Sequence, residues 1–524
     1  MTKLTKSALI VAISFGINKI LAIFRQLIIA RLFGLSSELD VFNVANNVPD
    51  LLFALISGGA LAMAIIPVLS EVLTREGRTT AWHVFSRIAN LAFLITLGVS
   101  LFVAIFAGPL VSSSFGIAPG FSSSQQELVV ELMRLNLIAT IIFSMAGLFI
   151  GGLQANQHFL LPALAPILYN LGQIFGALIL APEKSVNVGF IHLPALNMGV
   201  YGLVYGVLIG SILFLLILIP GLFHYQFKWS ASLNLNQPDV RKILVMLGPR
   251  VLSMLFYQLT FIIRDNIASH LPMGAVTALT YGWMILQVPE TLIGTAIGTA
   301  LLPTISEHFA RRNLDEFNST IQRTLRVLIA LSVPITFLLA TGLQPFLSLA
   351  FGWDDAGTQL LLWITRAFII GLAGHCLLEL GARIFFAKQN AVIPLIGSVL
   401  NLFIYLFSGN LFAQMLSTPG VALADALAFS LQALFLLAIH SWLSQKSRDA
   451  GKIYHIIQSL FGDKEINLTW IRSIAGGLAG TLIILIISNA FKLPPVIMGT
   501  FSLFGGMLAS LPLIWQELRI LVHL

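Results

Sequence analysis

The phrase "AIIPVLSEVLTREG" (residues 64–77) returns as "ALLPTISEHFARRN" (residues 300–313), in the same register and 236 positions later. The match extends beyond the phrase on both sides, and the aligned pairs include Gly58 with Gly294, Pro67 with Pro303 and Glu71 with Glu307. A second echo pairs "LQANQHFLLP" (153–162) with "FFAKQNAVIP" (385–394), at an offset of 232. Two echoes at nearly one spacing predict that the chain is built from two related halves.

The composition indicates the solvent in which these halves fold. The chain has 524 residues, of which 57% are hydrophobic and only 10% are charged. Soluble domains carry about 25% charged residues, so this chain cannot present an ordinary aqueous surface. Runs of about 20 apolar residues recur, which is the length of a membrane-spanning helix and not the alternating pattern of a barrel strand. We therefore predict an all-α integral membrane protein.

Fourteen apolar stretches are long enough to cross a bilayer. Their approximate ranges are 7–33, 40–71, 83–111, 127–153, 159–181, 198–223, 239–268, 275–307, 316–343, 358–386, 391–414, 420–444, 469–491 and 495–517. Lys and Arg collect in one alternate set of the connecting loops and are almost missing from the other set. By the positive-inside rule, both termini are predicted to be cytoplasmic.

The two echoes end spans 2 and 8 and spans 4 and 10, so each half contains six spans. Because six is even, both halves enter the membrane in the same orientation, as a parallel pseudo-two-fold repeat of the kind found in transporters. Residues 1–225 and 226–445 are the predicted lobes. Residues 446–524 add spans 13 and 14 and, around 452–463, an interfacial helix for which an ordinary connector is the alternative. Duplication for packing alone is the alternative to transport.

Ionisable side chains within the spans are candidate functional residues, because a charge at the bilayer centre costs about 2.5–3.5 kcal/mol on insertion scales. Span 1 carries Lys19 and Arg25, which with Asn18 and Gln26 can form one polar stripe. A cavity lined by such cations attracts an anion, and guanidinium groups match phosphate oxygens in pairs. We predict that this stripe contacts a phosphate-bearing substrate.

Further charges lie in other spans. Arg264, another candidate for the cavity, and Asp265 are neighbours in span 7 that diverge by about 100° on a helix, so each is expected to need its own partner. Asp40 and Asp425 lie near external helix starts, where capping is the alternative to a functional role. A candidate ion-pair network, for which helix pairing is the alternative role, consists of Asp265, Glu290, Arg366, Glu379 and Arg383.

Proline and glycine interrupt two of the spans. Breaks of this kind supply kinks, and alternating-access transporters use flexing helices, although membrane helices also tolerate both residues without a function. The predicted hinge or gating positions are Pro49, Gly58 and Gly59 in span 2 and Pro289 and Gly294 in span 8.

Other functional classes fit the sequence less well. The net charge of +7 comes from basic residues scattered among apolar helices, so no nucleic-acid partner is expected. An enzyme such as a membrane glycosyltransferase needs carboxylates or a histidine base at an interface. The external loops offer Asp354 and Asp355, for which capping is the alternative, and His83 and His375 have no obvious partner. We expect a transporter with no metal and no cofactor.

Five motifs also carry a family resemblance: "FRQLIIARLFG" (24–34), "ELDVFNVANNVPDLLF" (38–53), "GGALAMAIIPVLSE" (58–71), "ALTYGWMILQVPETLIGTAIGTALLPTISE" (278–307) and "ARIFFAKQNAVIP" (382–394). Together they resemble the MurJ/MviN lipid II flippases, a branch of the multidrug/oligosaccharidyl-lipid/polysaccharide exporter superfamily. The resemblance implies two lobes around a cationic cavity, with a lipid-tail groove in spans 13 and 14. It also implies a bacterial inner-membrane protein that moves lipid II, the undecaprenyl-diphosphate disaccharide-pentapeptide used for peptidoglycan, to the outer leaflet.

The resemblance also carries over to single residues. Lys19 and Arg25 match two basic positions of the family in span 1, and Asp40 matches its acid at the start of span 2. Charges that the family commonly has elsewhere are replaced here by Phe53, Gly58, Met284 and Gln287.

The positions with which some family members bind sodium read Arg264, Asn401 and Tyr405 here, so sodium coupling is not expected. We hypothesise that Arg264 is a tethered cation that fills the ion's place and restores the lost positive charge. The driving force would then be the membrane potential or another ion gradient. We expect a monomer whose partners are lipid II and membrane lipids, and a flippase for another polyprenyl-linked glycan is the open alternative.

Overall fold

The computed structural model describes residues 3–56, 60–188, 191–233, 238–445, 464–491 and 493–522. The chain forms two compact units, Met1–Val276 and Thr277–Leu524. The predicted hinge residues Gly58 and Gly59 and the predicted interfacial helix around 452–463 lie outside the described residues. The lobe boundary predicted at residue 225 concerns the sequence duplication and remains a prediction.

The first unit is helical apart from one small hairpin. Its helices are α1 (Lys3–Phe33), α2 (Ser37–Ile56), α3 (Ala60–Arg75), α4 (Arg78–Ile105), α5 (Ala107–Ser112), α6 (Ser123–Ala155), α7 (Leu160–Phe175), α8 (Val200–His224) and α9 (Pro238–Ser269). A π-helical turn, Gly176–Leu180, extends α7. Strands β1 (Val186–Val188) and β2 (Ile191–Leu193) pair antiparallel between α7 and α8, a hairpin that the sequence did not predict.

The second unit is entirely helical in the part that the structure describes. Its helices are α10 (Ala275–Glu290), α11 (Ala296–Ala310), α12 (Leu314–Gly342), α13 (Gln344–Phe351), α14 (Asp355–Ile370), α15 (Leu372–Ala387), α16 (Val392–Leu416), α17 (Thr418–Gln445), α18 (Lys464–Ala490) and α19 (Pro495–Val522). A second π-helical turn, Thr291–Thr295, joins α10 to α11.

Among the described residues, eleven helices are long and apolar enough to span a membrane, or twelve if the bent pair α14 and α15 is one span. The fourteen predicted spans also include 40–71, which the structure divides between α2 and α3, and 239–268, which corresponds to α9. Neither passes on length and composition, and α9 carries several charged residues along its 32 positions. The all-α membrane class is thus confirmed in its coarse form.

Glycine allows α7 and α8 to lie in direct backbone contact. A Cβ at Gly176 would lie 2.6 Å from the Cα of Gly206, and one at Gly210 would lie 2.7 Å from the carbonyl oxygen of Tyr169. Small residues are typical of helix interfaces in membranes, because the backbones can approach closely there. This contact fixes α7, and with it the polar residues that α7 presents to α1.

The two loops of the second echo have the same local structure. Gln157 and Gln389 follow helix ends and adopt left-handed φ angles of 59° and 55°. The next amide in each loop closes back on the helix, from His158 to the Leu153 carbonyl and from Asn390 to the Phe385 carbonyl, both at 2.9 Å. This is the hydrogen-bond pattern of a Schellman helix end. The sequence echo therefore corresponds to a local structural echo.

The segment after α8 is extended and lies along α4. The amide of Ser230 donates to the Ser86 hydroxyl, and the Asn90 side chain donates to the carbonyls of Ser230 and Ser232 at 2.8 and 3.0 Å. Backbone outside a helix has no intrahelical partners, so its buried N–H and C=O groups need hydrogen bonds from elsewhere. The side chains of α4 thus supply hydrogen bonds that the segment does not make within a helix.

Candidate functional site

Two residues of the polar stripe predicted on α1, Asn18 and Arg25, face α7. Asn18 accepts a hydrogen bond from the side-chain amide of Asn170 at 2.7 Å. The guanidinium carbon of Arg25, seven residues further along the same face, lies 5.9 Å from the ring centroid of Tyr169. Arg25 and Gln26 are half-buried and Lys19 is exposed. Arg25 therefore packs against α7, whereas Lys19 is exposed.

Asp50 is a site residue that the sequence reading missed. It directly follows Pro49 on α2, is surface-accessible, and interacts electrostatically with Arg25. Both charges also act on the phenol of Tyr169, which accepts a hydrogen bond from the Gln173 side chain. The signal was present in the motif "VPD" (48–50), which places an acid within span 2. Because Asp50 offsets one positive charge, the group of Lys19, Arg25 and Asp50 carries a net charge of +1.

The predicted hinge Pro49 does not break its helix, because α2 is continuous from Ser37 to Ile56. The hydroxyl of Thr140 on α6 donates to the Pro49 carbonyl at 3.4 Å. Proline has no N–H to donate to the carbonyl four residues earlier, so it removes one backbone hydrogen bond, and the Thr140 contact is an additional one to the carbonyl of Pro49 itself. In this structure, therefore, α2 continues through its proline.

Arg264 and Asp265 pair with each other, which corrects the expectation that each would need a separate partner. The Arg264 Nε atom lies 3.0 Å from Asp265 Oδ1, and both residues are buried. The arginine side chain is long enough to fold back along α9 to its neighbour, while its guanidinium carbon lies 5.1 Å from the Phe261 ring centroid. Asp265 also accepts a hydrogen bond from the Asn47 side chain on α2.

This pairing bears on the hypothesis that Arg264 restores positive charge. A carboxylate bonded to a cation offsets its charge, so the pairing argues against Arg264 as a source of net positive charge in a cavity. That half of the hypothesis stays a prediction. The other half, that the guanidinium fills the place of an ion, stays a prediction, and the aligned positions Asn401 and Tyr405 on α16 are both buried.

Asp40 joins the start of α2 to the segment that precedes α10. Its carboxylate is buried and accepts a hydrogen bond from the backbone amide of Gly274 at 2.6 Å. The end of α9, which precedes Gly274 in the chain, bonds to the loop between α5 and α6. Asn266 donates to the Ser114 carbonyl at 3.2 Å, and the Gly120 amide donates to the Ser269 hydroxyl at 3.0 Å. Asp40 therefore makes a long-range tie.

The predicted ion-pair network of the second unit forms only in part. Glu379 and Arg383 pair at 2.8 Å one turn apart on α15, and the charge of Glu290 also acts on Glu379. The Arg366 Nε atom donates instead to the Ala340 carbonyl at 2.7 Å, and its guanidinium carbon lies 4.8 Å from the Trp363 ring centroid. Arg366 is thus held by a carbonyl and an aromatic ring.

The predicted hinges of span 8 lie at a change of helix type. Pro289 and Glu290 end α10, and the π-helical turn that follows contains Gly294. A Cβ at Gly294 would lie 2.9 Å from the Cα of Cys376, so the turn packs directly on the backbone of α15. Single π turns are rare and frequently lie at functional sites.

His375 has a partner that the sequence did not show. Its Nε2 atom lies 3.2 Å from Asp425 Oδ1 on α17, and both residues are buried. Asp425 therefore contacts a side chain of another helix. Among the described residues, no group of three or more His, Cys, Asp or Glu side chains is placed to hold a metal ion.

The sequence profile of the family described as "Lipid II flippase MurJ" matches residues 29–501. The chain belongs to this family. The resemblance inferred from the five motifs is thus confirmed. With its many apolar helices, this MurJ-family chain is a multi-pass protein of the inner membrane.

Individual relatives agree with this assignment. The lipid II flippase MurJ of Burkholderia cenocepacia is 28% identical over 429 residues, which cover 80% of each chain. A protein of Rickettsia prowazekii, described as a probable lipid II flippase MurJ, is 26% identical over 432 residues, which cover 81% of each chain. These relatives are described as transporters, which is the class that the sequence predicted.

Solved structures show the same fold. A lipid II flippase MurJ in an inward closed conformation is similar with a TM-score of 0.77 and 21% identity, over 98% of this chain and 100% of the other. An inward-facing multidrug transporter of the wider superfamily is similar with a TM-score of 0.66 and 15% identity, over 84% of this chain and 100% of the other. At these identities the similarity establishes the fold.

Proposed function

We propose that this chain moves lipid II from the inner to the outer leaflet of the bacterial cytoplasmic membrane by alternating access. The observation that carries the proposal is the family match over residues 29–501. The polar stripe of α1 supports it, because it presents Lys19 and Arg25 in the middle of a predicted membrane span. Paired cations are suited to a diphosphate headgroup.

The finer architecture is part of the same proposal. Fourteen spans form two six-helix lobes, related by a parallel pseudo-two-fold repeat, with both termini in the cytoplasm. A cationic cavity between the lobes receives the headgroup, and spans 13 and 14 hold the lipid tail in a groove. The protein works as a monomer, binds no nucleic acid and uses no cofactor. Charge asymmetry of the loops and the two sequence echoes support this arrangement.

Within the cavity, Lys19 and Arg25 contact the diphosphate, and Asn18, Gln26 and Asp40 complete the polar surface. Asp50 is added to this set because it interacts with Arg25. An acid beside a phosphate-binding arginine limits how tightly the anion is held, and a transporter must also release its substrate. Arg264 belongs to the cavity as the partner of Asp265, with which it forms an ion pair.

Complementation tests the proposal. A strain depleted of its own lipid II flippase receives the wild-type chain, Lys19→Ala, Arg25→Ala or the control Lys184→Ala, which changes an exposed lysine outside the helices. We expect growth with the wild type and the control, and loss of growth with the two α1 variants at equal membrane abundance. Failure of the wild type to rescue despite stable insertion would favour another polyprenyl-linked glycan as the substrate.

A further inference from the structure

We propose that His375 and Asp425 form a proton-binding site in the second unit, and that its occupancy controls the bending of spans 8 and 10. This inference deepens the proposed function and rests on it for the identity of the transported lipid. The His375 Nε2 atom lies 3.2 Å from Asp425 Oδ1, and the two residues are only 5% and 7% exposed. Ionisable residues within membrane spans commonly form proton relays.

Aromatic rings enclose the pair and keep its surroundings apolar. The His375 ring stacks on Phe429 with centroids 4.2 Å apart, and Trp283 approaches it edge-on at 5.4 Å. With a neutral imidazole, the pair carries a net charge of −1 in this dry environment, whereas an imidazolium makes the pair neutral. Burial of net charge is costly, so closure around the pair favours the protonated state.

The site lies where span 10 is broken. The helices α14 and α15 meet at Gly371 with a bend of 40°, and the amide of His375 donates to the Gly371 carbonyl at 2.9 Å. A Cβ at Gly371 would lie 2.7 Å from the Cα of Ala426, which is the residue next to Asp425. The bend at Gly371 is therefore packed on α17, the helix that carries Asp425. A change in the charge of the His375–Asp425 pair thus acts directly at the bend.

The break in span 8 is connected to the same site. The Glu290 carboxylate accepts hydrogen bonds from the hydroxyls of Thr291 and Thr295 at 3.4 and 3.0 Å, across the π-helical turn. That turn packs through Gly294 on the Cα of Cys376, adjacent to His375. Because the Glu290 carboxylate is hydrogen-bonded at two points of the π-helical turn, the conformation of that turn depends on the charge of the carboxylate.

Further titratable and charged groups on the surrounding helices set the response of the pair to pH. On its own helix, Glu379 pairs with Arg383, and the charges of Glu290 and His375 both act on Glu379. Because these groups interact, the proton is bound by a coupled set and not by one residue alone. The other titratable or charged side chains on the helices packed against α15 and α17 are Asp355 and Arg366 on α14, Tyr405 on α16, Glu307 and His308 on α11, Asp315, Glu316, Arg323 and Arg326 on α12, and Cys376 and His440 on α15 and α17 themselves.

The transport step follows from the charge balance. Protonation of His375 Nε2 neutralises the pair and favours the closed, dry packing of α15 on α17. Release of that proton restores the charge of −1, which favours the admission of water and straightening at Gly371. A proton gradient across the membrane can thus bias the cycle, since the two conformations bind the proton with different affinities.

The first test needs no lipid. An imidazolium beside an indole quenches its fluorescence, so Trp283 reports directly on His375. Purified protein is titrated from acidic to basic pH, and the Trp283→Phe variant is subtracted to isolate the signal of this tryptophan. We expect a single-proton transition that is lost in His375→Gln and displaced in Asp425→Asn, and that persists in His83→Gln, which changes an exposed histidine of the first unit.

The second test measures transport. Proteoliposomes carrying fluorescent lipid II are given a tenfold proton gradient, and lipid movement is followed by accessibility to a reductant. We expect the gradient to change the wild-type rate several-fold. The double variant His375→Gln/Asp425→Asn, which keeps a hydrogen-bonding amide pair, is expected to move lipid at one rate with and without the gradient.

The outcomes separate the two proposals. Absence of a Trp283 transition overturns the proton site, as does a transition that survives in His375→Gln. A gradient effect that persists in the double variant overturns the coupling, while lipid movement still supports the proposed function. If wild-type protein moves no lipid II under any gradient, the proposed function fails, and the fluorescence titration alone then decides the proton site.

Discussion

The carboxylate of Asp40 accepts a hydrogen bond from the amide of Gly274 at 2.6 Å, although 234 positions separate the two residues in the chain. Gly274 has a φ angle of 87°, and a Cβ there would lie 2.7 Å from the Cβ of Leu35. The position therefore requires glycine for two reasons, a left-handed backbone and a close neighbour. Asp40, at the start of span 2, therefore bonds to a backbone conformation that only glycine adopts easily.

We expect Gly274→Ala to destabilise the protein more than Gly34→Ala. Both glycines have a left-handed φ, but a Cβ at Gly34 would meet nothing within 4 Å. Gly34→Ala thus measures backbone strain alone, about 1–2 kcal/mol, and the excess at Gly274 measures the collision with Leu35. Thermal unfolding in detergent gives both values, and equal losses for the two variants would show that the Leu35 contact does not matter.

We expect Arg264→Gln to leave Asp265 as a buried carboxylate whose remaining hydrogen-bond partner, within the part of the chain that the structure describes, is the Asn47 side chain. Breaking a buried ion pair costs about 3–5 kcal/mol, so the variant should unfold earlier in low-sodium detergent. If the guanidinium fills the place of an ion, added sodium should restore stability in this variant and have no effect on Arg264→Gln/Asp265→Asn. Normal stability and transport without any sodium dependence would refute that role of Arg264.

Glu517 is expected to stabilise the two helices that follow the repeat. It is 1% exposed, lies 3.4 Å from Arg326 on α12 and 3.6 Å from Arg472 on α18, and accepts a hydrogen bond from Thr469. Removing it by Glu517→Ala leaves two arginines without their shared acid, at a cost of about 3–5 kcal/mol. Chemical denaturation of the purified protein would measure the loss.

The matched control for this cluster is Glu465→Ala. Glu465 lies 3.2 Å from Arg326, but its side chain is 57% exposed. Exposed ion pairs contribute about 0–1 kcal/mol, so this substitution should have a small effect. If Glu465→Ala and Glu517→Ala cost the same free energy of unfolding, burial is not what gives Glu517 its importance.

Lys388 is expected to make stability depend on alkaline pH. It lies in the loop after α15, with its Nζ atom 2.9 Å from His440 Nδ1 and 5.3 Å from the Phe317 ring centroid. Burial lowers the pKa of Lys388 from 10.5 to about 8. Between these two values the unfolded chain holds a proton that the folded chain lacks, so the free energy of unfolding rises with pH across this window.

Below pH 8 both states hold that proton, and Lys388 adds no pH dependence there. In Lys388→Met the rise between pH 8 and 10.5 should be missing, whereas Lys184→Met, which changes an exposed lysine, should retain it. Unfolding midpoints measured in steps of pH would check this. A Lys388→Met protein that keeps the full rise would show that another group titrates.

The features predictable from the sequence are those with a local pattern. Apolar length predicted a helical membrane protein, and five motifs, the first of which contains Arg25, predicted its family. The stripe of Asn18, Lys19, Arg25 and Gln26 follows from helical spacing alone. Each of these inferences uses the order of residues along the chain, so no knowledge of tertiary packing was needed.

The features that escaped prediction are long-range pairs. His375 and Asp425 are 50 positions apart on different helices, and no spacing rule connects them. The pair of Arg264 and Asp265 was missed for another reason, because helix geometry separates their Cβ atoms while a long arginine side chain can return to its neighbour. Asp50 directly follows the predicted hinge Pro49, so its charge was visible in the sequence but was assigned no role.

The contact between Gly294 and Cys376 has a practical consequence. The chain contains one cysteine, and the backbone of another helix lies against it. Alkylating reagents should therefore leave the resting molecule unmarked, so that cysteines introduced elsewhere can be labelled against a silent natural background. Modification of Cys376 that depends on turnover would show that the backbones at Gly294 and Cys376 separate during transport. Cys376 thus offers a natural probe of conformational change.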